Sequence, residues 1–565
     1  MVLEGKTIFH KLWYFVTTYI LTLKRFDLFL QGTLLIVILL ETNVYLLLDR
    51  DANEGYLPKL VGEWVRLGAA GIEVVLGAAV AWFGKDRRQL ALSGWLAATS
   101  VSGLLVFAFP FAVSNPPNVE LCGGTEISLY NETPAYDSNI TGRTAFLVIT
   151  MLLCALSKVS IWAHGITYLD DHDPQNGAYF YGILISIRLS LGLSGFNWLR
   201  PSSTREDWWE AHLCLCMLTF MFSVLFTLFP RRMKSCVQEE EFGVDTGFCA
   251  SLGRIVRNKV LIVQTLGFSF LSAAVFCYVL YDRAYVSARF HIETIRQDPR
   301  SSRTLSDIFR SLVIIFFVMI FRVRFSARRS DGVKTNTASR VGGVTAIFVA
   351  IFFTVMASIS CNTGSIVGAT GDGFEQPICS QQCGCNSERY GFSPVCAVDI
   401  DATFFSPCNA GCAEAEDLNG ILLLQNCTCS TETLRAVRGA CSLLSCRTAF
   451  GAYQVIYTVM LAVSGASFMM FGMAILRAVR PADKAIAVGT TYAVVALLAF
   501  VLGNLLYMAI SYLTCVYPDE GACLLHHPSL WSASATSALL ALLAAITSII
   551  ASKIPGPPKE RSTEF

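Results

Sequence analysis

The sequence predicts an all-α polytopic membrane protein of twelve helices with a small disulfide-rich insertion on its outer face. Three observations predict it. Hydrophobic residues make up 54 % of the 565 and charged ones only 15 %, with a mean hydropathy of +0.53, more apolar surface than a soluble core of that size can hide. Apolar runs recur along the chain at about the 20 residues that cross a hydrocarbon layer of about 30 Å. Eleven cysteines crowd between Cys361 and Cys446, flanked by two of those runs, which is too dense for a compartment where thiols stay reduced. The net charge of +1 points to no nucleic acid partner; membrane lipid is the expected surround.

The runs fall at 26–48, 60–83, 90–113, 144–166, 178–199, 209–229, 257–281, 304–325, 341–360, 449–475, 485–512 and 529–552. The eighth is the least apolar, because Arg310, Arg322 and Arg324 lie in or at the end of it and Leu312 to Phe321 is short by itself. Residues 1–25 carry Lys11 beside their apolar stretch and no small-residue cleavage site, so they read as an amphipathic cytoplasmic segment or a plain tail, not a signal peptide. The expected organisation is therefore an N-terminal segment (1–25), a six-helix bundle (26–230), a basic central linker (231–256), three helices (257–360), the cysteine-rich domain (361–448), three further helices (449–552) and a tail (553–565).

With the N-terminus inside, the predicted inner segments hold 21 Lys and Arg against 14 in the longer outer loops, so the positive-inside bias puts both termini in the cytoplasm. The glycosylation sequons at Asn131, Asn139 and Asn426 all fall in loops assigned outside, where such sites are modified. The outer cysteines are Cys122, Cys361, Cys379, Cys383, Cys385, Cys396, Cys408, Cys412, Cys427, Cys429, Cys441, Cys446, Cys515 and Cys523. Full pairing requires the odd cysteine of the dense segment to find Cys122 or another outside partner, and Cys515 with Cys523 reads as a local bridge. Connectivity inside the segment stays open. Disulfides outweigh a metal site, and no metal or cofactor is expected.

An ionisable group inside the bilayer costs several kcal/mol unless it meets a cavity or a partner. Glu41, Glu73, Lys158, His164 and Arg188 are such groups, all in the first six helices, and they are the substrate-path candidates. Arg188 is the best anion contact, since a guanidinium stays charged and offers several donors. The competing reading is a structural lock in which Glu41 or Glu73 neutralises Lys158 or Arg188. At the inner side, the turn Gly84-Lys85-Asp86-Arg87-Arg88 has a counterpart at Arg328-Arg329-Ser330-Asp331-Gly332. Asp86, Arg87, Arg88, Arg328 and Arg329 read either as a charge latch closing the inner face or as ordinary positive-inside charge. No Walker-type loop, His-Glu-x-x-His or Gly-x-Ser-x-Gly is present, so an enzyme is not expected.

Two six-helix sets joined by a long basic linker resemble a major facilitator. Pro394-Val395-Cys396 followed by Ser406-Pro407-Cys408-Asn409-Ala410-Gly411-Cys412 resembles the Kazal-like extracellular domain of the organic anion transporting polypeptides. The motif Gly165-Ile166-Thr167-Tyr168-Leu169-Asp170-Asp171, the later Tyr179-Phe180-Tyr181-Gly182, Ala108-Phe109-Pro110-Phe111, Arg477 through Lys484 and Gly521-Ala522-Cys523-Leu524 are similar to motifs of that family, so the resemblance runs over roughly residues 26–550. The tryptophan signature before helix six reads Arg205-Glu206-Asp207-Trp208-Trp209-Glu210-Ala211-His212 and keeps Trp208 as its aligned tryptophan; the helix-eleven position where the family commonly carries an arginine aligns with Ala496; and Cys396-Ala397-Val398-Asp399-Ile400 replaces a Cys-Gly-x-Asp-Gly step.

The resemblance implies a divergent solute carrier of the plasma membrane that moves small amphipathic organic anions by alternating access, either as sodium-independent uptake or as exchange with bicarbonate or other intracellular anions. Steroid conjugates, bile-acid-like anions, prostanoids and thyroid hormones are the substrate classes it implies. A second reading is a transport-deficient receptor or adhesion protein whose Kazal-like domain meets an extracellular protein partner.

Overall fold

The computed structural model describes residues 21–53, 57–58, 61–109, 120–123, 138–195, 198–199, 208–231, 233, 247–291, 300–326, 333–370, 373–386, 391–418, 421–430, 435–441, 443–519 and 522–555. Residues 1–20, Asn131, Arg328, Arg329 and most of the linker lie outside them.

Among the described residues, twelve long helices form the body. They are α1 (Leu23–Ala52), α2 (Val61–Phe83), α3 (Arg88–Ala108), α4 (Thr141–His172), α5 (Pro174–Gly195), α6 (Trp208–Thr227), α7 (Lys259–Phe290), α8 (Arg300–Ser326), α9 (Thr335–Ser358), α10 (Cys446–Arg477), α11 (Pro481–Leu513) and α12 (Pro528–Lys553). Eleven are long and apolar enough to cross a membrane, and α8 is the exception. Its charges explain why: Asp307 and Arg310 pair near one end at 3.7 Å, while Arg322 at the other donates to Asn176 Oδ1 at 2.8 Å. Between them Phe309, Leu312, Phe316 and Ile320 are exposed at three- and four-residue intervals, an apolar stripe along one helix face that lipid would cover.

Local chemistry sets several helix starts. Proline opens α5, α11 and α12, where its fixed φ suits the first turn and its missing N–H costs nothing. Asn258 caps α7, its Oδ1 accepting from Leu261 N at 3.2 Å while its Nδ2 donates to Ala478 O at 2.8 Å. Before it, the amphipathic linker helix Phe248–Arg257 sets Phe248 against Trp82.

The helices pack as two sets of six. In the first, α3 lies along α4 and α6; in the second, α9 lies along α10 and α12; the sets meet through α2 with α11 and through α5 with α8 and α10. Small residues allow that meeting. A Cβ on Gly489 would stand 2.7 Å from the carbonyl oxygen of Gly77, and one on Gly472 would run into the Tyr181 ring.

The cysteine-rich segment is a separate small domain on one face of the bundle. Its five-stranded antiparallel sheet runs β2-β1-β5-β4-β3, from β1 (Val395–Ala397), β2 (Ala402–Phe404), β3 (Glu414–Leu418), β4 (Ile421–Gln425) and β5 (Arg435–Arg438). Cys361–Cys446 closes its base, and Cys379–Cys429, Cys385–Cys408, Cys396–Cys441 and Cys412–Cys427 staple its interior. Cys122, from the α3–α4 connection, takes the remaining Cys383, and its N–H donates to Cys412 O at 2.7 Å. Cys515 and Cys523 bridge the α11–α12 hairpin, whose Tyr517 stacks on Phe374 at 4.5 Å. All fourteen cysteines expected on the outer side are thus paired. Asp401 lies close to Cys396 and Cys441, but that pair is oxidised and offers no thiolate to a metal. Asn426 is exposed with a positive φ of 55°, a conformation that asparagine tolerates.

Candidate functional site

Four of the twelve helices carry π-helical turns: Ile161–Ile166 in α4, Arg188–Gly192 in α5, Ala273–Cys277 in α7 and Ala496–Gly503 in α11. Such turns displace side chains from the regular register and recur at functional sites. Here they converge. Arg188 of α5 lays its guanidinium 4.5 Å from the Phe276 ring of α7 and 5.9 Å from Phe500 of α11, so it crosses from one six-helix set to the other. Tyr492 lies within electrostatic reach of Arg188 and stacks on Trp162 at 5.8 Å, and Trp162 meets Tyr181 at 5.1 Å. An aromatic wall therefore surrounds a half-buried guanidinium, with cation–π attraction holding its pose.

Lys158 stands differently. Its Nζ lies 2.6 Å from Glu41 Oε1 and 3.7 Å from Glu73 Oε1, so α1, α2 and α4 are tied by one ammonium between two carboxylates. Arg188 lies within electrostatic reach of Glu73, but among the described residues it makes no ion pair. Of the path candidates, Glu41, Glu73, Lys158 and Arg188 come together; His164 is buried and packs against α2, its Nε2 3.1 Å from Val80 O. Ala496 is fully buried at the start of the α11 π-turn, and Phe500 one turn on is the residue that meets Arg188.

On the face opposite the disulfide domain, called here the linker face, a charge cluster joins the two sets. Arg477 of α10 holds Asp170 of α4 through both terminal nitrogens, at 3.0 and 2.7 Å. Lys484 of α11 reaches Asp170 at 2.7 Å and Asp171 at 2.9 Å, and Arg88 of α3 completes the cluster at 2.6 Å from Asp171. Among the described residues, the ion pairs between the sets, Arg477–Asp170, Lys484–Asp170 and Lys484–Asp171, all lie here. Asp86 instead faces Arg231 of its own half at 3.9 Å, both well exposed, a contact of little energy. Arg87 precedes α3 and makes no side-chain cap.

The remaining motif residues have local roles. Tyr168 donates to Pro230 O at 2.8 Å, and Trp208 is buried beside Phe107 with the Arg50 guanidinium 5.9 Å from its ring. His212, in the altered tryptophan signature, bridges Asn43 Nδ2 and Gly103 O, each at 3.0 Å. Sequence reasoning did not single out Arg477 and Lys484 as latch members or Trp162, Tyr181, Phe276, Tyr492 and Phe500 as a group. The two cations could have been matched to the Asp170-Asp171 doublet by charge alone; the aromatics carried no signal.

Two six-helix sets with charged groups between them and an ion-pair cluster on one face define a polytopic membrane protein built of two halves. A sequence profile of the Organic Anion Transporter Polypeptide (OATP) family matches residues 205–528, and the chain belongs to that family. It is 22 % identical over 524 residues to solute carrier organic anion transporter family member 6C1 of Mus musculus, covering 80 % of this chain and 70 % of that one. Member 74D of Drosophila melanogaster is 20 % identical over 461 residues, covering 73 % and 55 %, and member 2B1 of Rattus norvegicus 29 % over 170 residues, covering 28 % and 24 %. The chain thus spans little more than half the length of the fly relative. Among solved structures, the major facilitator superfamily transporter FucP in the outward conformation overlays with a TM-score of 0.47 at 9 % identity, covering 92 % of this chain and 97 % of that one.

Proposed function

We propose that this protein carries amphipathic organic anions across the plasma membrane by alternating access, with the disulfide face outside and both termini in the cytoplasm. The observation that carries the reading is Arg188, a guanidinium with no carboxylate in contact among the described residues, set among aromatic rings contributed by both halves. Its charge suits a carboxylate, sulfate or sulfonate, and the rings suit an apolar scaffold. The latch at the linker face supports a cycle in which that side is closed while the opposite side admits substrate. Seven disulfides and the exposed Asn426 on one face, with the Lys and Arg excess on the other, support the orientation.

In this reading transport is independent of sodium and proceeds as exchange against an intracellular anion, and the Kazal-like domain is open to an extracellular protein partner. Reconstituted vesicles test it with a panel of steroid-sulfate, bile-acid, prostanoid and small aromatic anions. Uptake should saturate, rise when anion is preloaded inside and persist when sodium is replaced by choline. Ligand wholly removed by an outside wash, with no osmotically sensitive internal pool for any member of the panel, would defeat transport in favour of a surface receptor.

A further inference from the structure

The linker helix Phe248–Arg257 stands at a corner of the linker face where the two six-helix sets meet. At its start, Phe248 packs against Trp82 of α2, in the first set, at 5.6 Å. At its end, Arg254 holds Asp483 through two nitrogens at 3.0 and 2.7 Å, and Asn258 donates to Ala478 O at 2.8 Å. Those contacts clamp it to the turn between Arg477 and Lys484, the two cations that join the second set to Asp170. Ser251 and Ile255, one helical turn apart, are buried on its inner side. With that side fixed, Cys249, Ala250, Val256 and Arg257 are exposed on the other, and Val256 keeps 57 % of its surface open. Lys259, just beyond the helix, is also exposed, and among the described residues neither Arg257 nor Lys259 has a carboxylate in contact. Beside the helix, at the end of a span, Phe83 is 86 % exposed and Lys85 sets its ammonium 3.4 Å from the Trp82 ring. Apolar side chains, cations and an aromatic ring at the mouth of a span are the chemistry of a membrane–water interface.

We infer that this corner docks an acidic phospholipid of the leaflet at the linker face, and that the bound lipid steadies the latch in its closed form. Arg257 and Lys259 suit the anionic headgroup, and Val256 and Phe83 suit its acyl chains. A water-soluble anion would use the cations and leave the apolar side chains in water. The sign of the effect follows from where the parts come from. Phe83 and Lys85 belong to the first set, while Val256, Arg257 and Lys259 ride on the helix clamped to the second, so the corner is assembled only while the sets meet on this side. A ligand that binds the assembled corner better than the separated one shifts the population toward closure. The inference does not depend on what the central path carries. The competing reading is that Arg257 and Lys259 are ordinary positive-inside charge, with Arg257 also balancing the end of the helix dipole.

The test uses the full chain, with Cys214, Cys236 and Cys249 replaced by serine, in phosphatidylcholine vesicles with or without phosphatidylglycerol. A bimane attached through Val256→Cys should be quenched at least twofold more by dibrominated phosphatidylglycerol than by dibrominated phosphatidylcholine at the same mole fraction. That preference should vanish in the double variant Arg257→Gln, Lys259→Gln and survive in Arg257→Lys, Lys259→Arg. The bimane emission maximum in phosphatidylcholine alone checks that the helix keeps its place in the double variant; where it shifts, Lys259→Gln alone, outside the linker helix, should still weaken the preference. In a separate Met473→Cys chain, phosphatidylglycerol should slow maleimide labelling at least threefold, and only with both cations present. Equal quenching by the two lipids, or quenching by neither, overturns the docking surface. A lipid preference that leaves labelling of Met473→Cys unchanged overturns the coupling to the latch, as does labelling slowed equally in the double variant, which is the outcome expected of surface charge in general.

Discussion

Arg477 grips Asp170 through both terminal guanidinium nitrogens across a sequence separation of 307, and Lys484 holds the same carboxylate from α11. The carboxylate is almost wholly buried, with 1 % of its side-chain surface exposed, so its charge depends on these two cations. The latch can exist only while the halves are together at the linker face. A conformation open on that side must break it and hydrate its members.

Arg477→Ala should therefore shift the protein toward the state open at the linker face. Losing one partner of a buried pair costs about 3 kcal/mol, shared here with the remaining Lys484. Met473 is buried against this cluster beside Gly177, so the thiol introduced by Met473→Cys should react faster with a maleimide applied to the linker face in the Arg477→Ala background. An unchanged labelling rate would show that the pair does not hold the closed state.

Arg188→Ala should reduce anion uptake at least tenfold, about 1.4 kcal/mol, with surface level little changed, because the guanidinium leaves no carboxylate behind it. Lys158→Ala should act the other way round. It strands Glu41 and Glu73 together in the helix bundle, and uncompensated buried charge lowers the folded population first. Surface biotinylation beside uptake separates the two effects.

The disulfides should differ in weight. Taken alone, the cross-link Cys361–Cys446 closes 85 residues and Cys515–Cys523 closes 8, worth about 4.5 and about 2.5 kcal/mol by chain entropy. Cys361→Ser should therefore reduce surface expression more than Cys515→Ser. Non-reducing peptide mapping should recover Cys122 joined to Cys383, and finding several of the outer cysteines as free thiols would contradict the oxidised fold.

Acid should loosen the disulfide face. Burial pushes His291 and His526 down to about 4, against one backbone hydrogen bond each, to Thr363 and Ser511. Their neutral forms fit the fold, so their contribution is full above the unfolded value near 6.5 and is lost as pH falls from there toward about 4. Glu120, whose carboxylate accepts from Asn386 N, is pushed up to about 6 by burial. It acts in the opposite sense: its contribution is present below about 4.5 and lost as pH rises through about 6. Two histidines outweigh one carboxyl, so the melting temperature should fall between pH 7 and pH 5. His526→Gln should flatten that fall and Glu120→Gln should steepen it.

The sequence by itself determined the membrane class, the approximate positions of the long helices and the disulfide-rich domain, because length, hydropathy and cysteine density are properties of local composition. It also picked out Arg188, Lys158, Glu41 and Glu73 individually, since a charge within an apolar run stands out wherever the run goes. Their roles depended on tertiary placement. Only folding decided that Lys158 is shared between Glu41 and Glu73 while Arg188 crosses to Phe276 and Phe500, because that choice depends on which helix faces which and on π-turns that re-aim the side chains. The ion pairs that join the two sets likewise involve Arg477 and Lys484, whose partners lie more than 300 positions earlier, with Arg88 of the basic turn on the same acidic doublet. Periodicity cannot carry such a pairing: a charge near a helix end reads the same in sequence whether it meets water or a carboxylate from the other half of the molecule.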